Sequence, residues 1–120
     1  MSSLMRNAYT AVLARGEWWE GAVQTEPYEA AWAGEALFFV RVMQIGEDAH
    51  LGAANAVARV QISPDGMHWV DEGSVLVVPA LEGALRFARV ADFGGWLRLA
   101  VEPPSPGLGL QVVATLALKG

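Results

Sequence analysis

Clusters of glycine, proline and aspartate divide this sequence into stretches that are too short for long helices. The stretches carry no extended apolar repeat of helical period, and several are rich in β-branched and aromatic residues, as strands are. Leu37 to Ile45 is rich in β-branched and aromatic residues, carries apolar residues on both faces and is followed by Gly46-Glu47-Asp48. A run that is apolar on both faces predicts a central strand covered on two sides.

Other stretches alternate between apolar and polar residues, which is typical of a sheet with one face in water. Ala58, Val60 and Ile62 share one predicted face. After a proline-rich loop, the last predicted strand has five apolar residues on one face: Leu110, Val112, Ala114, Leu116 and Leu118. The pattern predicts an all-β fold, an antiparallel β-sandwich of jelly-roll or Greek-key type with about eight strands.

A length of 120 residues fits one domain with one core. We expect residues 36–120 to form the sandwich. Residues 1–35 contain aromatic residues interspersed with glycine and proline, and we expect an irregular N-terminal arm or edge strands there. Tyr9 to Arg15 is a candidate strand that ends at Gly16. Trp18 to Gln24 is a second candidate, and Glu26-Pro27 prevents it from continuing.

A tight turn is predicted at Ser63, Pro64, Asp65 and Gly66. Proline favours the φ angle that the second turn position requires, and glycine tolerates a positive φ. The turn should join two antiparallel strands, with the return strand beginning at Met67 and anchored by Trp69. This return strand is predicted to end at Asp71, and Ser74 to Val78 is predicted as the next strand.

The composition has an apolar excess. Hydrophobic residues make up 53% and charged residues 18%, against about 45–50% and about 25% in average domains. Part of the excess is expected in an interface between proteins. There is no cysteine, so stability should come from packing or from partner subunits.

Charge and hydropathy exclude two classes of partner. The net charge is -5 and the eight basic residues are scattered singly, so no nucleic-acid partner is predicted. The longest apolar run is far shorter than the roughly 20 residues of a membrane span, so no membrane partner is predicted. The first residues do not have the pattern of a signal peptide, and we expect a cytoplasmic location unless the chain sits on a particle.

No catalytic apparatus is evident. His50 and His68 are not spaced as a nucleophile–base pair or a zinc site. Glu17 and Glu20 flank Trp18-Trp19, which is the residue combination of a glycosidase cleft. Alternation along a strand instead predicts one tryptophan in the core and the other at the surface or in a contact. We therefore expect a protein with no catalytic residue, no metal and no cofactor.

The stretch from Ala58 to Trp69 contains Ser-x-Asp-Gly-x-x-Trp, and it is followed by an arginine-bearing strand, Trp96-Leu97-Arg98-Leu99, and a last strand ending Leu118-Lys119-Gly120. This order resembles small β-sandwich proteins encoded among the structural genes of tailed bacteriophages and related particles. The resemblance covers residues 36–120. The same hairpin also occurs in discoidin-like sandwiches that bind carbohydrate or lipid.

The phage resemblance implies an accessory or decoration protein, located on the surface of a virion or particle. Its implied partners are further copies of itself, in a homo-oligomer, and a capsid shell protein. In this interpretation Trp18, Trp19, Tyr28 and Trp32 are interface residues that reach a neighbouring subunit. The alternative is a carbohydrate- or ligand-binding sandwich that uses exposed aromatic rings.

Overall fold

The computed structural model describes residues 8–46, 55–102 and 109–120. Within these ranges the chain forms nine strands: β1 (Ala8–Trp19), β2 (Val23–Gln24), β3 (Tyr28–Glu29), β4 (Glu35–Ile45), β5 (Ala56–Ser63), β6 (Val70–Val78), β7 (Leu85–Ala91), β8 (Trp96–Glu102) and β9 (Leu110–Lys119). None of the described segments is a helix long and apolar enough to cross a membrane.

The strands form two antiparallel sheets. Sheet A has the order β1-β9-β4-β7, and sheet B has the order β2-β8-β5-β6, with β3 also paired to β8. If β2 and β3 are taken as one interrupted strand, the order in both sheets is that of a jelly roll. The predicted all-β antiparallel sandwich is confirmed.

The core lies between the two sheets and follows the predicted alternation. Phe38 and Val40 of β4 are fully buried, as are Leu97 and Leu99 of β8. The five residues predicted on one face of the last strand are all buried. Burying a side chain of this size contributes roughly 1.5–3 kcal/mol, so the facing rows of the two sheets hold the sandwich together.

Gly16, which was expected to end a strand, and Gly73, which lies between two stretches predicted as separate strands, both lie within strands. Gly16 has a φ of +75°, and the β1–β9 register shifts between Arg15 and Glu17. Gly73 has a φ of +118° and lies where the β5–β6 register shifts. A positive φ allows an extra residue to bulge out while pairing continues on both sides. As a result, β1 includes Trp18 and Trp19, and β6 is a single strand.

The described part of the N-terminal segment contributes strands to both sheets. β1 pairs with β9 along its whole length in sheet A, and β2 and β3 pair with β8 in sheet B. Between β2 and β3, Thr25 N donates to the Leu99 carbonyl, and Leu99 N donates to Thr25 Oγ1, both at 2.9 Å. This buried threonine holds the interrupted strand against β8 where Pro27 limits regular pairing.

Candidate interaction surfaces

The predicted turn is built around the hydroxyl of Ser63 and the carboxylate of Asp65. Ser63 Oγ accepts from the N–H of Gly66 at 2.8 Å and from that of Asp65 at 3.2 Å. Asp65 Oδ1 accepts from the N–H groups of Met67 and His68 at 2.9 and 2.8 Å. Because the turn uses the residues up to Trp69, β6 begins at Val70 rather than at Met67.

Hydrogen bonds to the backbone and side chain of His68 lower the pKa of Asp65 well below its usual range. His68 Nδ1 lies 2.6 Å from Asp65 Oδ2, and the imidazole is largely exposed. Ser63 Oγ donates to the same carboxylate at 3.0 Å. In a nucleophile–base pair the imidazole would contact the hydroxyl, whereas here the carboxylate stands between them. The arrangement organises a turn.

Gly66 also fits the turn to the neighbouring strand. Its φ is +79°, and a Cβ atom at this position would lie 3.2 Å from the indole ring of Trp96. Ser63 faces Trp96 in the β5–β8 register. A side chain at position 66 would therefore be strained and crowded.

The adjacent tryptophans Trp18 and Trp19 point to opposite sides of β1, as alternation predicts. Trp19 is 2% exposed and belongs to the core, whereas Trp18 is 43% exposed. The side chains of Trp18 and Glu20 pack over the backbone of Gly109. Of this pair, Trp18 is the one with a ring accessible to a partner.

Tyr28 and Trp32 lie near the opposite end of β1, beside Tyr9. The Tyr9 and Tyr28 rings are stacked with centroids 6.3 Å apart and planes 24° apart. Burial, followed by the hydrogen bond to Tyr9, raises the pKa of Tyr28. Together with Ala8 and Trp32 they line an open concavity of about 440 Å³. The four aromatic residues predicted at an interface therefore do not form one patch.

Polar contacts connect the residues on one part of the outward face of sheet B, whereas Val75 and Val77 of β6 are exposed on the same face. Arg98 Nε donates to Gln61 Oε1 at 2.7 Å, and Arg98 Nη1 donates to Gln24 Oε1 at 3.2 Å. Gln61 Nε2 donates to Asp71 at 3.0 Å, and the guanidinium carbon of Arg98 lies 4.2 Å from the centre of the Trp69 ring. Burial lowers the pKa of Arg98. Gln24, Gln61 and Asp71 line a groove of about 560 Å³. The other charged residues of its lining, Arg59 and Glu102, form an ion pair at 2.6 Å.

The outward face of sheet A differs from what the sequence predicted. β4 is central in its sheet, but no described element covers its outer side, so the expected cover on two sides is wrong. Phe39 lies directly opposite Phe87 of β7, and Leu85 and Phe87 are 54% and 62% exposed. Seven apolar side chains share this surface, which we call the sheet A face: Val12, Leu37, Phe39, Leu85, Phe87, Val113 and Ala117.

The sheet A face also carries positive charge. Arg41 lies opposite Leu85, and Arg89 lies opposite Leu37 with Nε 3.8 Å from Glu35 Oε1. Arg15 and Lys119 occupy outward register positions on β1 and β9. Four of the eight basic residues of a chain with net charge -5 thus share one face. The face is apolar and cationic on an otherwise acidic molecule.

Sequence reasoning missed this surface, although one signal was present. Leu85, Phe87, Ala88 and Val90 place apolar residues on both faces of β7. Part of the chain's excess of hydrophobic residues lies on the sheet A face. Among the described residues, no three side chains of His, Cys, Asp or Glu come together as a metal site.

The fold is similar to that of known structures, including the following two. The crystal structure of the SPBc2 prophage-derived protein YomS matches with a TM-score of 0.60 and 5% sequence identity, over 96% of this chain and 95% of that chain. A chain in the structure of infectious bursal disease virus Gx strain matches with a TM-score of 0.51 and 10% identity, over 95% of this chain and 32% of that chain. This chain thus spans about a third of the viral chain. At these identities the likeness shows the fold alone, and no family model or curated protein sequence matches.

Proposed function

We propose that this chain is a non-catalytic structural protein of a phage or virus-like particle, an oligomeric accessory or decoration protein that binds the capsid surface. The observation that carries the proposal is the uncovered sheet A face. Exposed apolar patches on monomers rarely exceed a few hundred Å² and often mark contact sites. Here large apolar and aromatic side chains extend across all four strands of one sheet.

The composition of the face favours a protein partner. Aromatic and arginine side chains are enriched in the centres of protein interfaces, and Phe39, Phe87, Arg41 and Arg89 lie together here. A partner with apolar residues and carboxylates would complement this surface. We assign that role to a shell protein of the particle.

The fold adds independent support. A prophage-derived protein has the same fold over nearly its whole length, and a chain of a virus structure contains it as a part. One source is a prophage and the other is a virus, which supports a structural protein of a phage or virus-like particle. Fold alone does not determine function, so the proposal depends on the face as well as on these likenesses.

A charge placed in the face tests the proposal. Leu37 and Val57 are both half-buried, outward-facing residues on inner strands, Leu37 in sheet A and Val57 in sheet B. Particles from the source of the sequence would be separated on a density gradient and probed with an antibody to this chain. We expect the wild type and Val57→Glu to sediment with the particles, and Leu37→Glu to remain in the soluble fraction. Absence of the wild type from particle fractions, or equal retention of both variants, would refute the proposal.

A carbohydrate-binding function is the second candidate. The open concavity lined by Tyr9, Tyr28 and Trp32 favours it, because sugars stack on exposed aromatic rings. A titration with neutral oligosaccharides, followed by tryptophan fluorescence, should then give a saturable shift that Trp32→Ala abolishes. A shift retained in Trp32→Ala, or no shift in the wild type, would exclude this concavity as the site.

A further inference from the structure

We propose that β7 pairs with β7 of a second copy, antiparallel about a two-fold axis at Ala88, so that two copies of sheet A join into one eight-stranded sheet. The inference rests on the proposed function, in which the protein is an oligomer, and it identifies the surface through which the copies contact each other. It follows from the backbone of the edge strand, from the contrast with the other edges and from the order of charges along β7.

The hydrogen bonds at the two ends of the β4–β7 ladder show which groups of β7 face its open edge. Val42 N donates to the Ala84 carbonyl at 2.9 Å at one end, and Asp92 N donates to the Gly34 carbonyl at 3.4 Å at the other. Both contacts continue the register of the ladder, and both use an even-numbered residue that flanks β7 to bond to β4 or to the residue before it. Bonded and non-bonded pairs alternate in antiparallel strands. The groups that point away from β4 therefore belong to the odd-numbered residues Leu85, Phe87, Arg89 and Ala91.

The other edge strands are bulged or interrupted, and β7 is not. β1 has two register shifts and β6 has one, at Gly73. The edge formed by β2 and β3 is interrupted around Pro27. β7 pairs with β4 without a shift over all seven residues. Bulges and prolines are usual means of protecting an edge, and a regular edge with apolar side chains is a template for another strand.

Charge and the number of paired residues together favour one register of the self-pairing. An axis at Arg86 or at Arg89 would place two arginines directly opposite each other, which is destabilising. An axis at Ala88 pairs all seven residues and places Phe87 opposite Arg89 of the second copy. A guanidinium over an aromatic ring is a favourable contact, and Glu35 lies beside Arg89 to offset its charge.

One existing contact changes in this arrangement. Arg86 Nη1 donates to the Leu85 carbonyl at 2.9 Å, which agrees with that carbonyl facing the open edge. In the dimer the N–H of Ala91 from the second copy takes its place. Arg86 is an exposed side chain, so it can move aside into water.

Disulfide formation tests the pairing, because the chain has no cysteine of its own. Ala88 would lie opposite Ala88 of the second copy in a non-hydrogen-bonded pair, whose Cα separation of about 4.5 Å suits a disulfide. We expect Ala88→Cys to form a covalent dimer under mild oxidation. Ala91→Cys is the control on the same strand, since Ala91 lies opposite Leu85 of the second copy and should give no covalent dimer under the same conditions.

A second variant tests the edge without a disulfide. Phe87→Pro removes an N–H that points away from β4, so the intramolecular ladder remains. We expect its mass by light scattering to fall to that of a monomer while its circular dichroism stays that of a sheet protein. Equal cross-linking of both cysteine variants, or an oligomer unaffected by Phe87→Pro, would overturn the edge pairing. A wild type that sediments with particles would still leave the particle function standing.

Discussion

The rings of Phe39 and Phe87 lie across the β4–β7 ladder with their centroids 6.1 Å apart and their planes tilted by 34°, on the solvent side of sheet A. An aromatic pair of this kind contributes about 0.5–1.5 kcal/mol beyond its buried area. Phe87 nevertheless keeps 62% of its surface in water. Most of the apolar surface of Phe87 is therefore still available to be buried by a partner.

Truncation of Phe87 should cost little folding stability. We expect Phe87→Ala to lower the free energy of unfolding of the monomer by about 1 kcal/mol, because only the ring contact with Phe39 is lost. Phe38→Ala is the matched control one strand away, at a fully buried position, with an expected loss of about 3–5 kcal/mol. Urea unfolding at low concentration measures both. Similar losses for the two variants would contradict the assignment of Phe87 to the surface.

Arg98 should stabilise sheet B through several contacts at once. Arg98→Met removes two hydrogen bonds to Gln24 and Gln61 and the contact with the Trp69 ring. We expect a loss of about 1–3 kcal/mol in the free energy of unfolding. Arg86→Met is the control, since its guanidinium bonds only to the neighbouring carbonyl of Leu85 among the described contacts, and it should be nearly neutral. An equal effect of both substitutions would show that the Arg98 contacts are not stabilising.

Gly66 should tolerate a side chain less well than another glycine with positive φ. Gly94 has a φ of +89° and nothing within 4 Å of a Cβ atom, whereas a Cβ atom at Gly66 meets the Trp96 ring. Gly94→Ala should cost about 1–2 kcal/mol from backbone strain alone. We expect Gly66→Ala to cost measurably more in the same urea experiment. A smaller loss at Gly66 would mean that the hairpin does not pack on Trp96 as described.

The hairpin should make stability depend on acid pH. The pKa of Asp65 is lower in the folded protein than its ordinary value. Its contribution is therefore present above the ordinary pKa and is lost as the pH falls through the folded-state value. Asp65→Asn should reduce the difference in unfolding free energy between pH 7 and acid pH relative to the wild type. An unchanged pH dependence in this variant would contradict the role of the carboxylate.

Much of the fold was predictable because local patterns determine it. The alternation of Leu110 to Leu118 and the turn at Ser63 to Gly66 depend on near neighbours, and both are seen in the structure. Gly16 was expected to end a strand, and the stretches on either side of Gly73 were predicted as two strands, because the sequence does not show whether a glycine ends a strand or allows a bulge. That choice depends on pairing with β9 and β5, which are distant in the chain.

The candidate surface was harder to predict for a related reason. The apolar run of β4 correctly indicated a central strand, but a second apolar face is equally compatible with cover from the same chain and with cover from a partner. Only the sheet order shows that Leu37 and Phe39 have no described neighbour layer. The opposition of Phe39 and Phe87 likewise depends on a register between distant strands.

The molar mass in solution, measured by light scattering over a wide range of concentrations, tests the central claim most directly. A chain that works through the sheet A face and its edge should show a mass that is a multiple of 12.8 kDa, and Leu85→Lys with Phe87→Lys should reduce it toward the monomer. A wild type that stays at 12.8 kDa at the highest concentrations would contradict the account of this protein as a self-associating structural jelly roll.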